Sequence, residues 1–395
     1  MILKDYGYKY KNAYYFSREQ ALESILFHKE YDATIEFEYY DSVFRNIDWT
    51  IEPNIDIDLL YKLRAQQLRQ KYDYLILSFS GGVDSIQMLE TFLKHNIHFD
   101  EIQISHYGKG ISNFDNQQII TNNLTEFLEY DLTAKKYLKK VERLSPNTKI
   151  TVLDATQFVY EQYTTGKFEN INTVDKSNEV PANTFRLYSM FPRSLMYYLN
   201  YYNIKMNQLP SKTGFVRGFE KPVLYPYING SLAFSFYDIL MHSHSENVLS
   251  TMTIENFYCT PDAPLIPIKQ SHMIKKELEN NKLFYDTFLR ANKILEETDT
   301  STTVSPAIKF ERVYGKIIYP DWPKELYIGE KATKQSPEKT LVEKLGGSHY
   351  YDDISEEIEK DKLNKFKLLK NKKQFRKLLF TKPYDLGKLQ LNYRK

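Results

Sequence analysis

Short apolar runs along the chain alternate with segments of helical periodicity. Residues 74–79 are almost wholly apolar, as expected for a strand buried on both faces of a parallel sheet, and residues 99–105 and 149–153 predict two more strands. After the first run, apolar residues recur at helical spacing at Ile86, Leu89, Phe92 and Leu93. This order predicts an α/β protein with a doubly wound, mostly parallel sheet.

The remaining patterns divide the chain into four segments. Helices are predicted at residues 17–27, 59–70, 115–143 and 185–202, and strands at 33–39 and within 214–222. Linker-like composition near residues 298–306 indicates a boundary. The predicted segments are an N-terminal appendage (1–57), an α/β domain (58–240), substrate-side loops and helices (241–300), and a mainly helical C-terminal region with a basic amphipathic tail (301–395).

A turn rich in glycine and serine follows the first predicted strand. It reads Ser80-Gly81-Gly82-Val83-Asp84-Ser85 and precedes the predicted helix. Paired glycines let successive backbone N–H groups approach an anion, and the helix adds its positive N-terminal dipole. Ser80 and Ser85 supply hydroxyl donors, and Asp84 supplies a hard oxygen ligand for Mg²⁺. The turn therefore suits a nucleotide triphosphate, and the alternative is an ordinary glycine turn.

The six residues Ser80 to Ser85 match the SGGxDS motif, so the chain resembles the PP-loop ATP pyrophosphatases, the adenine nucleotide alpha hydrolase-like superfamily. This superfamily includes asparagine, argininosuccinate, GMP and NAD synthetases and tRNA-modifying enzymes. The Walker A and G-x-G-x-x-G spacings are absent. The match covers six residues directly and, by pattern, residues 70–240. It implies an α/β enzyme with ATP and Mg²⁺ as cofactors.

The resemblance also implies which residues hold the nucleotide. Asp84 would serve the magnesium ion directly or through water, and the end of the second strand would contact adenine. Asp154, after the third strand, either faces the ligand crevice or caps the next helix. The predicted nucleotide-binding residues are Ser80, Gly81, Gly82, Val83, Ser85, Ile104, Ser105, His106, Tyr107 and Asp154.

Two cations near the end of the strand predicted within 214–222 are catalytic candidates together with Asp84. Arg217 or Lys221 can neutralise the departing pyrophosphate, because preorganised charge is usually the largest catalytic contribution. The alternative is a surface charge pair beside a turn. Further along, Lys269 and His272 lie either in a substrate lip or in a structural connection.

Composition excludes several classes of site. The single cysteine, Cys259, excludes an internal disulfide, a Cys-x-x-Cys pair and a cysteine-ligated iron–sulfur cluster. The spacing of His242, His244, Cys259 and His272 argues against zinc. No apolar run is long enough to cross a bilayer, so no membrane association and a cytoplasmic location are expected. The composition resembles PP-loop proteins of large tailed phages, which implies the host cytoplasm.

The reaction expected from the resemblance is adenylation of a substrate oxygen with release of pyrophosphate. A small-molecule acceptor, amidated or otherwise ligated, suits a net charge of +2. One alternative is modification of a nucleic-acid base, with phosphates held by residues 360–395, where thirteen Lys or Arg stand against two Asp. That tail alternatively docks as a helix on the body. A non-catalytic nucleotide-binding protein and a homo-oligomer also remain open.

Overall fold

The structure is a computed structural model that describes residues 5–15, 18–30, 33–106, 134–154, 210, 212–218, 221–241, 253–297, 314–321, 377 and 380–393. The strands are β1 (Tyr6–Tyr10), β2 (Ala13–Tyr15), β3 (Glu36–Tyr39), β4 (Tyr74–Ser78), β5 (Glu101–His106), β6 (Lys149–Asp154), β7 (Thr213–Arg217), β8 (Val223–Pro226), β9 (Ser231–Ser235), β10 (Thr253–Asn256) and β11 (Tyr384–Lys388). The α-helices are α1 (Arg18–His28), α2 (Asp41–Phe44), α3 (Ile57–Lys71), α4 (Val83–Lys94), α5 (Lys135–Leu144), α6 (Leu265–Asn280) and α7 (Lys282–Glu297).

A five-stranded parallel sheet forms the centre of the described chain. Its strand order is β10-β7-β4-β5-β6, and every neighbouring pair is parallel. The α/β class and the strands expected near residues 74–79, 99–105, 149–153 and 214–222 are confirmed. The sequence did not predict β10, which completes one edge of this sheet.

The core lies between this sheet and a layer of helices. Leu75 and Leu77 project from the same face of β4, because alternate residues of a strand share a face, and they join a buried cluster that includes Leu89 and Phe92 of α4. Helix α3 packs against α4 and α6, and α5 packs against α4. Ile76, on the opposite face of β4, is also fully buried. Burial of both faces explains the apolar sequence of this strand.

Two antiparallel sheets flank the central one, with orders β2-β1-β3 and β11-β9-β8. Aromatic rings from the segment after β3 pack on the segment that includes β9: the Trp49 ring is stacked 4.7 Å from the Phe234 ring, and the Phe44 ring is tilted and 4.4 Å from the Phe236 ring, between centroids. Tyr384 of β11 completes this cluster. The described part of residues 5–50, the β8–β9 hairpin and strand β11 therefore share one apolar core. The four segment boundaries stay predictions.

Several predicted elements lie outside the described residues. They include the helix at residues 185–202, most of residues 115–143, the linker near 298–306, and residues 360–376 of the basic tail. The last part of the 115–143 prediction is present as α5. In the C-terminal region the structure describes a helical turn at residues 314–318 and the strand β11. Among the described residues, no helix combines the length and apolar character needed to span a bilayer.

A candidate phosphate-binding site at the carboxyl edge of the sheet

The strand order places a topological switch point between β4 and β7. From β4 the chain adds β5 and β6 on one side, whereas β7 and β10 lie on the other. The connections after β4 and β7 therefore diverge, and open α/β sheets bind ligands outside the carboxyl ends of strands at such a point. Ser78 and Arg217, the last residues of β4 and β7, are partners in the sheet register. The predicted motif begins two residues beyond Ser78.

The backbone of the motif has the shape that its glycines allow. Gly81 has φ of +81°, a conformation that costs other residues strain, and Gly82 is the N-cap of α4 with an extended backbone and no side-chain cap bond. The first N–H groups of an α-helix lack intrahelical acceptors. Such N–H groups, together with the positive end of the helix dipole, are features that favour an anion.

The two serines brace this turn. The Ser85 hydroxyl donates to the Gly82 carbonyl at 2.9 Å and accepts from the Ser80 N–H at 3.3 Å, while the Gly82 N–H donates to the Ser80 hydroxyl oxygen at 3.1 Å. Ser85 is buried, whereas Ser80 is exposed. In this arrangement Ser85 shapes the turn from a buried position, and the Ser80 hydroxyl oxygen accepts from Gly82 and lies 3.2 Å from the Ser85 hydroxyl.

Asp84 forms an ion pair with Lys221. The Lys221 ammonium lies 2.6 Å from Oδ1 and 2.7 Å from Oδ2 of Asp84. The Lys221 side chain is 6% exposed and that of Asp84 is 28% exposed, so the pair is open to solvent mainly on the carboxylate side. Two of the predicted catalytic residues, 137 positions apart in sequence, therefore meet at the first turn of α4.

Two tyrosines that the sequence analysis missed also hold Asp84. The Tyr319 hydroxyl donates to Asp84 Oδ1, and the Tyr258 hydroxyl donates to the Asp84 backbone carbonyl at 2.7 Å. Burial, and next for Tyr319 the Asp84 charge, raises the pKa of both phenols well above the usual value, so both remain neutral donors. Neither tyrosine stands in a motif, and only the fold brings them to Asp84.

Gly218 is a further residue that the sequence analysis did not single out. A Cβ at this position would lie 2.7 Å from the Asp84 carbonyl oxygen and 3.0 Å from the Ser85 Cα. Both are backbone atoms, which cannot rotate away. The connection after β7 therefore touches the loop Ser80–Ser85 directly, and only glycine permits the contact.

Replacing Tyr319 with phenylalanine is expected to reduce the ATP turnover that is proposed below, because the Asp84 carboxylate loses a donor that fixes its orientation. The stability loss should be about 1.5–3 kcal/mol, as for a hydrogen bond to a charged group. The matched control is Tyr74→Phe, since the Tyr74 hydroxyl donates to Glu101 Oε2 at 2.9 Å from the opposite end of β4. Equal effects of both variants on ATP turnover would contradict a positioning role for Tyr319.

The remaining predicted binding residues occupy the same edge but differ in access. Ile104 is 1% exposed and belongs to the apolar core, and Val83 is also buried, so neither side chain is open to solvent. His106 pairs in register with Asp154, and Ser105 with Leu153. The side chains of Ser105, His106 and Asp154, and all of Tyr107, lie outside the described residues. The Arg217 guanidinium lies 5.7 Å from the centre of the Phe215 ring.

Lys269 and His272 hold other parts of the fold. The Lys269 ammonium bonds Glu52 at 2.6 Å, and a ring nitrogen of His272 lies 2.9 Å from the Trp49 carbonyl oxygen. The sequence left two interpretations of this segment open, a substrate lip and a structural connection. These contacts fit the structural connection. Cys259 is buried, and the described part of the chain contains no cluster of three or more metal-ligating side chains.

Comparisons of the chain with protein-family models, with curated proteins and with solved structures found no match.

Proposed function

We propose that the chain is an adenylating enzyme that binds Mg·ATP on the loop Ser80–Ser85 and releases pyrophosphate. The observation that carries this proposal is the meeting of Asp84 and Lys221 at a glycine turn beyond the carboxyl end of β4. A carboxylate for a metal ion and an ammonium for phosphate are the two charges that such a reaction requires.

The sheet supports the same proposal. Numbered from β4 as the first strand of the sheet, the order is 3-2-1-4-5, which doubly wound dinucleotide-binding sheets share. The motif follows the first of these strands, where such sheets place phosphate at a helix N-terminus. Sheet order and motif therefore agree on the position of a nucleotide.

The donor set fits magnesium. Mg²⁺ is usually held by one or two carboxylates together with substrate phosphates, and Asp84 offers a partly exposed carboxylate beside the loop. Lys221 now neutralises this carboxylate. We infer that Asp84 would hold a magnesium ion and that the Lys221 ammonium would then be available to the phosphates. A bound magnesium ion would spread the charge that develops on pyrophosphate.

The contribution of the chain itself is positioning and charge. The N–H groups at the start of α4 orient the phosphates, and Lys221 holds the departing group. An acceptor oxygen forms a bond to the α-phosphorus, the bond from that phosphorus to the bridging oxygen breaks, and its electron pair leaves on pyrophosphate. Alignment and charge neutralisation account for most of the rate in such a transfer.

Lys221→Met is expected to lower turnover by about 100-fold or more while changing ATP affinity less than tenfold, because the lost charge acts mainly in the transition state. Without nucleotide, the same variant should bind Mn²⁺ more tightly than the wild type, since Asp84 loses its competing cation. Chromatography of AMP and pyrophosphate measures the first effect, and paramagnetic titration of free Mn²⁺ measures the second.

The matched control is Lys269→Met, which removes an ion pair outside the loop. It should leave turnover and Mn²⁺ affinity unchanged. ADP and phosphate as the only products would contradict adenylation. ATP binding without any cleavage, with every class of acceptor supplied, would favour a non-catalytic nucleotide-binding protein.

A further inference from the structure

Helix α5 carries a dense stripe of positive charge beside the phosphate loop. Its ten residues contain five cations and one carboxylate, Glu142. Lys140 pairs with Glu90 of α4 at 2.5 Å. The other four cations are exposed: Lys135, Lys136, Lys139 and Arg143.

This stripe is unfavourable for the helix that carries it. Lys135 and Lys136 lie in the first turn, which has no acidic residue, whereas the helix dipole disfavours cations at that end. Like charges also stand four positions apart at 135 and 139, 136 and 140, and 139 and 143, and each such pair costs about 0.2–0.5 kcal/mol. Local rules broken in this way are expected at functional surfaces.

The stripe borders a cleft that lies close to the proposed nucleotide site. The cleft has a volume of about 580 Å³ and is lined by Glu90, Lys135, Lys136, Tyr137, Lys139, Lys140 and Arg143. The Tyr137 ring lies 6.1 Å from the ring of Phe79, the residue directly before Ser80. Because helices of such units run antiparallel to the strands, the first turn of α5 lies at the carboxyl edge of the sheet.

The length and composition of the stripe indicate the ligand class. From residue 135 to residue 143 the helix rises about 12 Å, which exceeds the size of one phosphate group and suits a chain of phosphates. The half-buried Tyr137 adds an aromatic ring among the cations, and stacking on such rings together with backbone neutralisation is how single-stranded nucleic acids are held.

We propose that the face of α5 formed by Lys135, Lys136, Lys139 and Arg143 binds a single-stranded nucleic acid and directs one of its bases to the ATP site. This inference rests on the proposed function, since it names the acceptor as a nucleic-acid base and not a small molecule. The surface consists of other residues than the basic tail at 360–395, and Tyr137 on the same helix, whose ring lies beside that of Phe79, connects it to the reaction.

The experiment measures anisotropy of labelled single-stranded RNA and DNA of mixed sequence with three proteins: the wild type, K136Q/K139Q/R143Q, and K276Q/K282Q/R290Q. The last variant removes three exposed cations of α6 and α7 as a matched control. The wild type and the control should bind tightly at low salt. The α5 variant should bind at least about tenfold more weakly, and its slope of log K against log salt should be smaller by about 2.

Binding of Mg·ATP is measured on the same samples to separate the two proposals. Intact ATP binding in the α5 variant shows that it folds. Unchanged nucleic-acid affinity in that variant, or ATP binding by a wild type that binds no oligonucleotide, overturns the α5 proposal alone. Binding to phosphatidylserine vesicles in place of oligonucleotides overturns it as well. Absence of ATP binding in the wild type refutes the proposed function, and with it the acceptor role of the nucleic acid.

Discussion

Asp84→Asn is expected to abolish measurable release of pyrophosphate, a loss of at least about 100-fold, as for removal of one preorganised charge at a reacting phosphate. Asparagine keeps the shape of the side chain and an oxygen that can accept from Tyr319, so the turn should retain its geometry. The carboxylate charge for the metal ion disappears. Product chromatography with Mg·ATP measures the effect, and turnover within threefold of the wild type would remove Asp84 from the mechanism.

The same substitution should destabilise the protein, because the buried Lys221 ammonium loses its counter-charge. The expected loss is about 1–3 kcal/mol, at the lower end because Asp84 is partly open to water. Adding Lys221→Met removes the Lys221 ammonium that has lost its counter-charge. The double variant should therefore be more stable than the sum of the two single effects predicts. Denaturant unfolding of the wild type, Asp84→Asn, Lys221→Met and the double variant gives this coupling energy. Strict additivity would mean that the ion pair contributes nothing to the fold.

Gly218→Ala is expected to weaken ATP binding by about tenfold or more, equivalent to about 1.4 kcal/mol. The new Cβ would lie 2.7 Å from the Asp84 carbonyl oxygen, so either the first turn of α4 or the connection after β7 must move. Such overpacking also costs about 1–3 kcal/mol of stability. Calorimetric titration with an ATP analogue that cannot be cleaved at the α-phosphorus measures the affinity.

Gly230→Ala separates backbone strain from the effect on the loop. A Cβ at Gly230 would meet no atom within 4 Å, but φ is +78°, so alanine there is strained. The variant should lose about 1–2 kcal/mol of stability and keep ATP affinity unchanged. A similar affinity loss in both variants would show that global destabilisation, and not the loop contact, explains the Gly218 result.

The sequence was sufficient for the parts of the fold whose pattern is local. Three local patterns each predict one element, and the structure confirms all three: the apolar run at residues 74–79, the helical periodicity after Ser85, and the helical pattern near residues 59–70. Strand β10 was missed because Thr253–Asn256 is only four residues long and includes Glu255, whose burial depends on distant partners. The Arg64 guanidinium and the Lys71 ammonium neutralise that carboxylate, which no local pattern reveals.

The candidate site also contains some residues that the sequence predicts and others that only the fold brings together. Ser80 to Ser85 form a local motif and are visible in sequence, and Lys221 was identified from its position after a strand. Tyr258, Tyr319 and Gly218 act through contacts with residues 84 and 85 that exist only once the chain is folded. Sequence reasoning had no signal for these three residues because no periodicity or spacing marks a contact between distant segments.

The central claim is that the backbone of residues 79–86 wraps around the phosphates of ATP, and amide hydrogen exchange tests it without knowledge of the acceptor. Exchange is followed with and without magnesium and an ATP analogue that resists cleavage at the α-phosphorus. The account predicts slower exchange in peptides covering residues 79–86, no change in peptides of α6, and a weaker effect in Gly218→Ala. Unchanged exchange at residues 79–86 in the presence of saturating nucleotide would contradict it.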